Sequence, residues 1–283
     1  MNAIFLTLTL ACNRNSDMET FEHNGVNREY ILHVPESYDG STSVPLMFNF
    51  HGFGGTASDQ MAWADMRELA NEHNFILVYP QGTLLDGVSH WNSGLAGGDN
   101  KSTADDFGFV LALIENLSST YSIDSDRIYA SGYSNGGFMS YSLVCYHSDI
   151  FVGIGAVSST MLNDFEGDCN PTRPVPIISL NGTSDSVVPY EGGFTGYQAI
   201  PDVVNYWVNH NNITAEPTTN SVDSSGTNIE RTFYEGGNSG VSVDHYKVLN
   251  GEHVWFELNY EGSDTNQLIW NFLSQYDLNG LRE

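Results

Sequence analysis

Short apolar runs alternate with amphipathic segments along most of this chain. Four runs have the length and continuity of buried strands, and they cover residues 45–50, 75–79, 151–157 and 176–180. Three further strand patterns lie at 30–34, 229–234 and 244–249. Helical spacing is found at about 58–72, 105–117, 202–210 and 268–273. Strands that alternate with helices predict βαβ units, and therefore a mainly parallel sheet covered by helices on both faces.

One junction between a predicted strand and a predicted helix carries a serine between glycines. The strand pattern at 127–131 breaks into Gly132-Tyr133-Ser134-Asn135-Gly136, and helical spacing resumes at Phe138. A Gly-x-Ser-x-Gly turn in this context is typical of a nucleophile elbow, where the glycines leave room for the backbone and the serine stands above the sheet. We therefore predict that Ser134 is a nucleophile, which requires a base, an acid and an oxyanion hole elsewhere in the chain.

Segments that follow two later strands can supply the acid and the base. Asp185 follows the buried run at 176–180, and His253 follows the last predicted strand. Because the carboxyl ends of parallel strands lie at one edge of the sheet, both residues are expected beside Ser134. They also follow the serine in the expected order of acid and then histidine. Asp202 is the alternative acid, but its place at a helix start is explained by N-capping.

The other histidines are weaker candidates for the base. His51 precedes the serine, against the expected order, and is interpreted as packing the loop that forms the oxyanion hole. His73, His210 and His245 fall on predicted helix or strand surfaces, where solvated or structural roles are expected. The base is therefore assigned to His253.

Two backbone amides are predicted to form the oxyanion hole. One is the N–H of Asn135, the residue after the nucleophile. The other is the N–H of Phe53 in the glycine-rich loop at 51–55, which follows an early buried strand. That loop is as much a part of the predicted site as the serine, the histidine and the aspartate.

Length and charge limit the classes of protein and of partner. A chain of 283 residues without an internal repeat or low-complexity linker favours one large α/β domain. The 9 basic and 35 acidic residues give a net charge of −26, which disfavours nucleic acid and anionic membranes and favours a soluble monomer. The acids are scattered, so they are interpreted as a solvated surface that tolerates salt.

The N-terminal segment is apolar but too short to span a bilayer. Residues 1–24 are interpreted as a truncated export signal or a disordered tether, and 25–283 as a single catalytic domain. The end of the apolar run, at Cys12, looks like a lipoprotein signal, which predicts a secreted or lipid-anchored protein. Cys145 and Cys169 are then expected to form a disulfide, which could contribute about 3 kcal/mol. No Cys or His pair has zinc spacing, so no metal and no cofactor is predicted.

Four motifs together resemble a known family. They are His51-Gly52-Phe53-Gly54-Gly55, the segment 126–137 around Ser134, Asn181-Gly182-Thr183-Ser184-Asp185 with Val188-Pro189-Tyr190, and Glu252-His253-Val254-Trp255. In this order they resemble the extracellular polyhydroxybutyrate depolymerase and feruloyl esterase group of α/β-hydrolases, from about residue 28 to 276. The resemblance implies an α/β-hydrolase fold without a large lid domain, a triad of Ser134, Asp185 and His253, and the Cys145–Cys169 disulfide.

The sequence departs from this family at two positions that bear on substrate preference. Asn181 stands where the family usually has histidine, and Val254-Trp255 replaces a Gly-rich, Pro-flanked segment. Aromatic residues next to the predicted triad are candidates for holding an aromatic or apolar acyl group, and these are Phe53, Trp91, Tyr133 and Trp255. Each of them could instead anchor its loop in the core.

The residues together predict a serine carboxylesterase. Its expected substrates are feruloyl or acetyl esters of plant polysaccharide, or a polyester such as a polyhydroxyalkanoate, in small or polymer-derived form. A peptidase of the prolyl-oligopeptidase type is an alternative, although the chain has no propeller or other gating domain. A non-catalytic binding protein on a hydrolase scaffold is the alternative from another class.

Overall fold

Ten strands form one sheet in the computed structural model, which describes residues 18–94, 102–162, 169–193, 196–224 and 226–283. The strands of this sheet are β1 (Met18–His23), β2 (Val26–His33), β3 (Val44–Phe50), β4 (Ile76–Pro80), β7 (Ile123–Tyr133), β8 (Ile154–Val157), β9 (Ile177–Gly182), β10 (Thr218–Ser224), β11 (Thr227–Tyr234) and β12 (Val243–Val248). Within the described ranges, the strands outside the sheet form two small hairpins, β5 (Thr83–Leu85) with β6 (Val88–His90) and β13 (Tyr276–Asp277) with β14 (Gly280–Leu281).

The sheet has the order β1-β2-β4-β3-β7-β8-β9-β12-β11-β10. The six central strands, β4 to β12 in this order, are parallel, and two antiparallel strands extend the sheet at each edge. Four of the central strands, β3, β4, β8 and β9, are buried along their whole length, which explains their continuous apolar sequences. The prediction of a mainly parallel α/β-hydrolase sheet is confirmed.

Helices cover both faces of the sheet. They are α1 (Ala57–Trp63), α2 (Arg67–His73), α3 (Asp106–Thr120), α4 (Asn135–Tyr146), α5 (Ile200–His210) and α6 (Thr265–Leu273). Buried residues of α3, α4 and α5 pack with alternate strand residues such as Phe48 on one face, while α1, α2 and α6 pack with residues such as Met47 on the other. Among the described residues, no helix is both long enough and apolar enough to cross a bilayer.

The predicted helix at 58–72 is wrong in one respect, because it is two helices. The chain turns between α1 and α2, where the buried Tyr79 hydroxyl donates to the Ala64 carbonyl at 2.7 Å and accepts from the Met66 N–H at 2.9 Å. This hydroxyl replaces the hydrogen bonds that a continuous helix would make. Helical spacing alone cannot reveal such a break, since the group that satisfies it comes from β4.

The predicted tether at 1–24 also needs correction. Residues Met18–His23 form β1, which pairs antiparallel with β2, and Phe21 packs against Phe109 of α3 at 6.4 Å between ring centroids. The polar composition of this segment suits an edge strand with one face in solvent. Cys12, the predicted lipidation site, lies outside the described residues.

Cys145, near the end of α4, and Cys169 form the expected disulfide. Both side chains are buried against the core on the α4 face of the sheet. The bond ties α4, which begins at Asn135, to the segment that leads into β9.

We expect the double variant Cys145→Ala/Cys169→Ala to unfold more easily, because the disulfide restricts the unfolded chain. The free energy of unfolding should fall by about 3 kcal/mol, measured by denaturant titration of the oxidised protein. Thiol titration of denatured, unreduced wild type that carries no lipid on Cys12 should find one of the three cysteines free. Three free thiols, or equal denaturation midpoints, would contradict this prediction.

Candidate active site

Ser134 lies at the sharp turn between β7 and α4. Its φ of 51° and ψ of −117° are strained for a residue with a side chain. The turn is crowded by backbone, because a Cβ on Gly136 would lie 2.2 Å from the Phe50 carbonyl oxygen and one on Gly132 would lie 2.3 Å from the Gly136 backbone. The two glycines therefore allow α4 to begin directly against β7 and the end of β3.

Ser134, His253 and Asp185 form one line of hydrogen bonds. His253 Nε2 lies 2.9 Å from Ser134 Oγ, and its Nδ1 lies 2.7 Å from Asp185 Oδ2. The three residues come from the ends of β7, β9 and β12, so the parallel sheet brings together side chains that are far apart in sequence. Ser134 is 7% exposed, and 15% of the His253 side chain is exposed, so both keep some contact with solvent.

The surroundings of Asp185 determine the tautomer of the histidine. Its Oδ1 accepts the backbone N–H groups of Val187 and Val188 at 2.8 and 2.7 Å, which leaves Oδ2 to accept from His253 Nδ1. A hydrogen on Nδ1 leaves the Nε2 lone pair of a neutral imidazole facing the Ser134 hydroxyl. That is the protonation state a general base needs.

Two hydroxyl groups hold the backbone at the histidine. Tyr133 donates to the His253 carbonyl at 2.8 Å, and Ser158 donates to the Val254 carbonyl at 2.7 Å. Burial raises the pKa of the Tyr133 phenol to about 12, so it remains a donor at neutral pH. Because residues 251–259 form neither helix nor strand, these two bonds fix a segment that secondary structure does not.

The Gly52–Phe53 peptide is oriented by its carbonyl group. His51 Nδ1 donates to the Gly52 oxygen at 2.7 Å, and the Gly55 N–H donates to the same oxygen at 3.0 Å. Since the peptide is trans, the Phe53 N–H points away from these contacts. The Asn135 N–H, the first of α4, has no acceptor within the helix.

His51 is buried and neutral. Its Nε2 accepts from the Gly82 N–H at 2.9 Å, so the hydrogen is on Nδ1, and burial lowers the pKa of the imidazole to about 4. Both ring nitrogens are therefore used within the protein. This arrangement agrees with the interpretation of His51 as a residue that packs the loop, and it leaves His51 unable to act as a base.

Trp91 does not line the open face of the site, which corrects one predicted substrate contact. It is 1% exposed, its indole N–H donates to the His51 carbonyl at 3.0 Å, and its backbone pairs with the Asn135 side chain at 2.6 and 3.1 Å. Trp91 thus connects the loop that carries Phe53 to the start of α4. A tryptophan in a polar loop looks the same in sequence whether it faces inward or outward.

The other residues considered for the site differ in how far they are exposed. Phe53 is 54% exposed, whereas Trp255 is half-buried against the core on the α6 face. Asp202 is exposed in the first turn of α5, whose N-cap is Ala199, so N-capping does not explain it. His245, predicted on a surface, is instead buried and contacts Ser179 and Tyr190, both at 2.9 Å.

The chain is similar in sequence and fold to known esterases. Residues 39–225 match the family described as Phospholipase/Carboxylesterase. Feruloyl esterase B of Piromyces equi is 29% identical over 89% of this chain and 46% of its own length. Probable feruloyl esterase C of Aspergillus terreus is 26% identical over 86% of this chain and 88% of its own. The solved acetyl xylan esterase of Aspergillus awamori has a TM-score of 0.60 and 16% identity, over 84% of this chain and 94% of that one.

The chain belongs to the phospholipase/carboxylesterase family. The prediction of a carboxylic ester hydrolase from the feruloyl esterase group of α/β-hydrolases is confirmed at the level of the family. The chain spans about half the length of the Piromyces equi relative but most of the Aspergillus terreus one.

Two side chains of this carboxylesterase-family site were missed by sequence reasoning. Ser158 follows β8 and has a φ of 47°, an uncommon value for serine. Trp63 ends α1 and lies 6.4 Å from Tyr133 between ring centroids. Ser158 belongs to a strand end, a signal that could have been used, whereas helical spacing gave no reason to single out Trp63.

We expect Tyr133→Phe and Ser158→Ala each to lower the kcat for p-nitrophenyl acetate about fivefold, with little change in KM. Each variant removes one hydroxyl bond that positions His253, worth about 1 kcal/mol. Steady-state kinetics and thermal unfolding should be measured together, with Ser119→Ala on the surface of α3 as the control. A lower melting temperature with an unchanged kcat would mean that these bonds only stabilise the fold.

Two buried histidines should make the stability of the fold depend on pH. Burial lowers the pKa of His51 and of His245 to about 4, against about 6.5 in the unfolded chain. The unfolded chain therefore binds more protons between these values. The contribution of each histidine, up to about 3 kcal/mol, is present above pH 6.5 and is lost as the pH falls towards 4.

Denaturant titrations at pH 7.5, 6 and 5 measure this dependence. The His245→Gln variant has a neutral side chain that can still bond Ser179 and Tyr190. As the pH is lowered, its free energy of unfolding should fall less steeply than that of the wild type, and the difference in slope corresponds to up to one bound proton. The difference between the two proteins removes the contribution of the carboxylates. Identical slopes would show that His245 is not held neutral in the folded state.

Proposed function

We propose that this protein is a serine carboxylesterase that works through an acyl-enzyme. The observation that carries the proposal is the hydrogen-bonded line from Ser134 Oγ through His253 to Asp185, with distances of 2.9 and 2.7 Å. His253 takes the Ser134 proton as Oγ attacks the ester carbonyl, and Asp185 stabilises the imidazolium that forms. His253 then gives this proton to the leaving alcohol.

Water completes the reaction. His253 removes a proton from a water molecule, the hydroxide attacks the acyl carbon, and the proton passes to Ser134 Oγ as the carboxylic acid leaves. The amides of Phe53 and Asn135 stabilise the oxyanion in both halves of the reaction. This role of the two amides is supported by the contacts of His51 and Trp91, which hold the loop after β3 and the start of α4 in fixed positions.

Feruloyl or acetyl esters of plant polysaccharide are the proposed substrates, with polyester as the second possibility. The relatives named as feruloyl esterases support the first class. The half-exposed Phe53 gives an aromatic acyl group an apolar contact beside the oxyanion hole. The small hairpin of β5 and β6 packs beside the Phe53 loop, through the 2.8 Å bond from the Gly54 N–H to the Ser89 carbonyl.

Export is part of the same proposal. The Cys145–Cys169 disulfide fits an oxidising compartment, as expected for a secreted protein. Attachment of lipid to Cys12 would keep the enzyme at a membrane, while secretion without lipid would release it. The strong negative charge favours a monomer that does not bind nucleic acid.

We expect Ser134→Ala to lower p-nitrophenyl ester cleavage by about 10⁴-fold or more, because the covalent step is lost. A fluorophosphonate probe should label the wild type at Ser134 and should not label the variant. Ser119→Ala should behave as the wild type in both assays. Retained turnover or retained labelling in a folded Ser134→Ala protein would overturn the assignment of Ser134 as the nucleophile. An inactive wild type that is not labelled would instead favour the alternative of a non-catalytic binding protein.

A further inference from the structure

Trp63 is a large aromatic side chain that is left exposed at the end of a rigid helix. It is 57% exposed, whereas Trp91, Trp207 and Trp270 are at most 4% exposed. Its helix, α1, is closed at the N-terminus by a capping box between Thr56 and Asp59. Burial of a tryptophan side chain is favourable. An exposed tryptophan on an anchored helix beside a candidate active site is therefore a candidate for contact with a ligand.

The same helix is also anchored from inside. Gln60, one turn before the tryptophan, is fully buried and donates to Asn49 Oδ1 at 2.8 Å. The carbonyl of Ala64, the residue after Trp63, accepts a hydrogen bond from the Tyr79 hydroxyl at 2.7 Å. The backbone at Trp63 is therefore held in place on both sides. A ligand that contacts the indole ring then loses little free energy to ordering of the backbone.

Aromatic contacts connect Trp63 to the catalytic histidine. The Trp63 ring meets the Tyr133 ring edge-on at 6.4 Å, and the Tyr133 ring lies 5.0 Å from the His253 imidazole. The hydroxyl of Tyr133 is already used in its bond to the His253 carbonyl, which leaves its ring as the part available for contact. The three aromatic rings thus form a row from Trp63 to the base.

The part of the ester that Trp63 and the Tyr133 ring contact follows from the chemistry of the base. In the proposed mechanism His253 protonates the leaving alcohol, so the alcohol lies on the side of Ser134 where the imidazole is. Phe53 lies with its own oxyanion donor in the loop after β3, and the second donor, the Asn135 N–H, lies at the start of α4. Trp63, reached through Tyr133 from His253, is placed for the alcohol and not for the acyl group.

We propose that Trp63 and the ring of Tyr133 form a subsite for an uncharged sugar ring in the alcohol part of the substrate. The proposal rests on the proposed esterase function and adds the side of the ester and the residues that read it. A flat aromatic face packs against the C–H face of a sugar ring, and the indole N–H can donate to a ring hydroxyl. The net charge of −26 disfavours anionic sugars such as uronic acids.

Esters that share an acid and differ in the alcohol test this subsite. Methyl ferulate is compared with feruloyl arabinose, and methyl acetate with acetylated xylobiose, in the wild type, Trp63→Ala and Trp63→Phe. In Trp63→Ala the ratio of kcat/KM for the sugar ester to kcat/KM for the methyl ester should fall about tenfold for both acids. Trp63→Phe should recover part of this ratio, and Leu281→Ala, an exposed apolar residue in the β14 hairpin, should not change it.

Two kinetic outcomes would overturn the proposal. An equal loss on the methyl and sugar esters would mean that Trp63 supports the fold or the triad. A loss that follows the acid, ferulate against acetate, whichever alcohol is attached, would assign Trp63 to the acyl side. Thermal unfolding of each variant separates a folding defect from a change in specificity.

A binding measurement keeps the test separate from the esterase function itself. Calorimetric titration of Ser134→Ala with xylotetraose should give a dissociation constant that rises about tenfold in Ser134→Ala/Trp63→Ala. If the wild type hydrolyses no ester and is not labelled by fluorophosphonate, the proposed function fails while this titration still reports on Trp63. Equal affinities in the two proteins would overturn the subsite whatever the kinetics show.

Discussion

The close approach of α4 to the end of β3 is the constraint on which the site depends. Gly136 has no room for a side chain against the Phe50 carbonyl, and Gly132 has none against Gly136. Only this contact lets Ser134 occupy a strained turn with its hydroxyl free to meet His253. The strain is tolerated because the surrounding strands are fully buried and cannot yield easily.

Hydrogen bonds from side chains and from the backbone then fix the segments that reach this edge of the sheet. Tyr133 and Ser158 hold the backbone at the histidine, while the amides of Val187 and Val188 orient the Asp185 carboxylate. These contacts are short and come from different strand ends. The geometry of Ser134, His253 and Asp185 therefore depends on the whole edge of the sheet and not on these three side chains alone.

The glycine-rich loop after β3 is held by buried residues. His51 bonds the Gly52 carbonyl, and Trp91 joins the His51 carbonyl to the side chain of Asn135. Burial keeps His51 neutral, so the hydrogen bond that orients the loop does not depend on its charge near neutral pH. Phe53 and Trp63, the two aromatic residues proposed to contact the ester, are both exposed.

The sequence by itself determined eight of the ten strands of the sheet, the position of the serine turn and the order of the residues that join it. These follow from local physics, since continuous apolar runs indicate buried strands and glycines on both sides of Ser134 allow a tight turn. Asp185 and His253 could be predicted because parallel strands end at one edge. The disulfide between Cys145 and Cys169 could be predicted from their number and context.

Only the tertiary structure decided which way ambiguous side chains face and what holds them. Trp91 is buried and Trp63 exposed, although both are tryptophans near the ends of short elements. The break between α1 and α2 depends on Tyr79, which is distant in sequence, and Ser158 acts on a loop 96 residues away. Such contacts join distant parts of the chain, and hydrophobic periodicity carries no information about them because it describes each element alone.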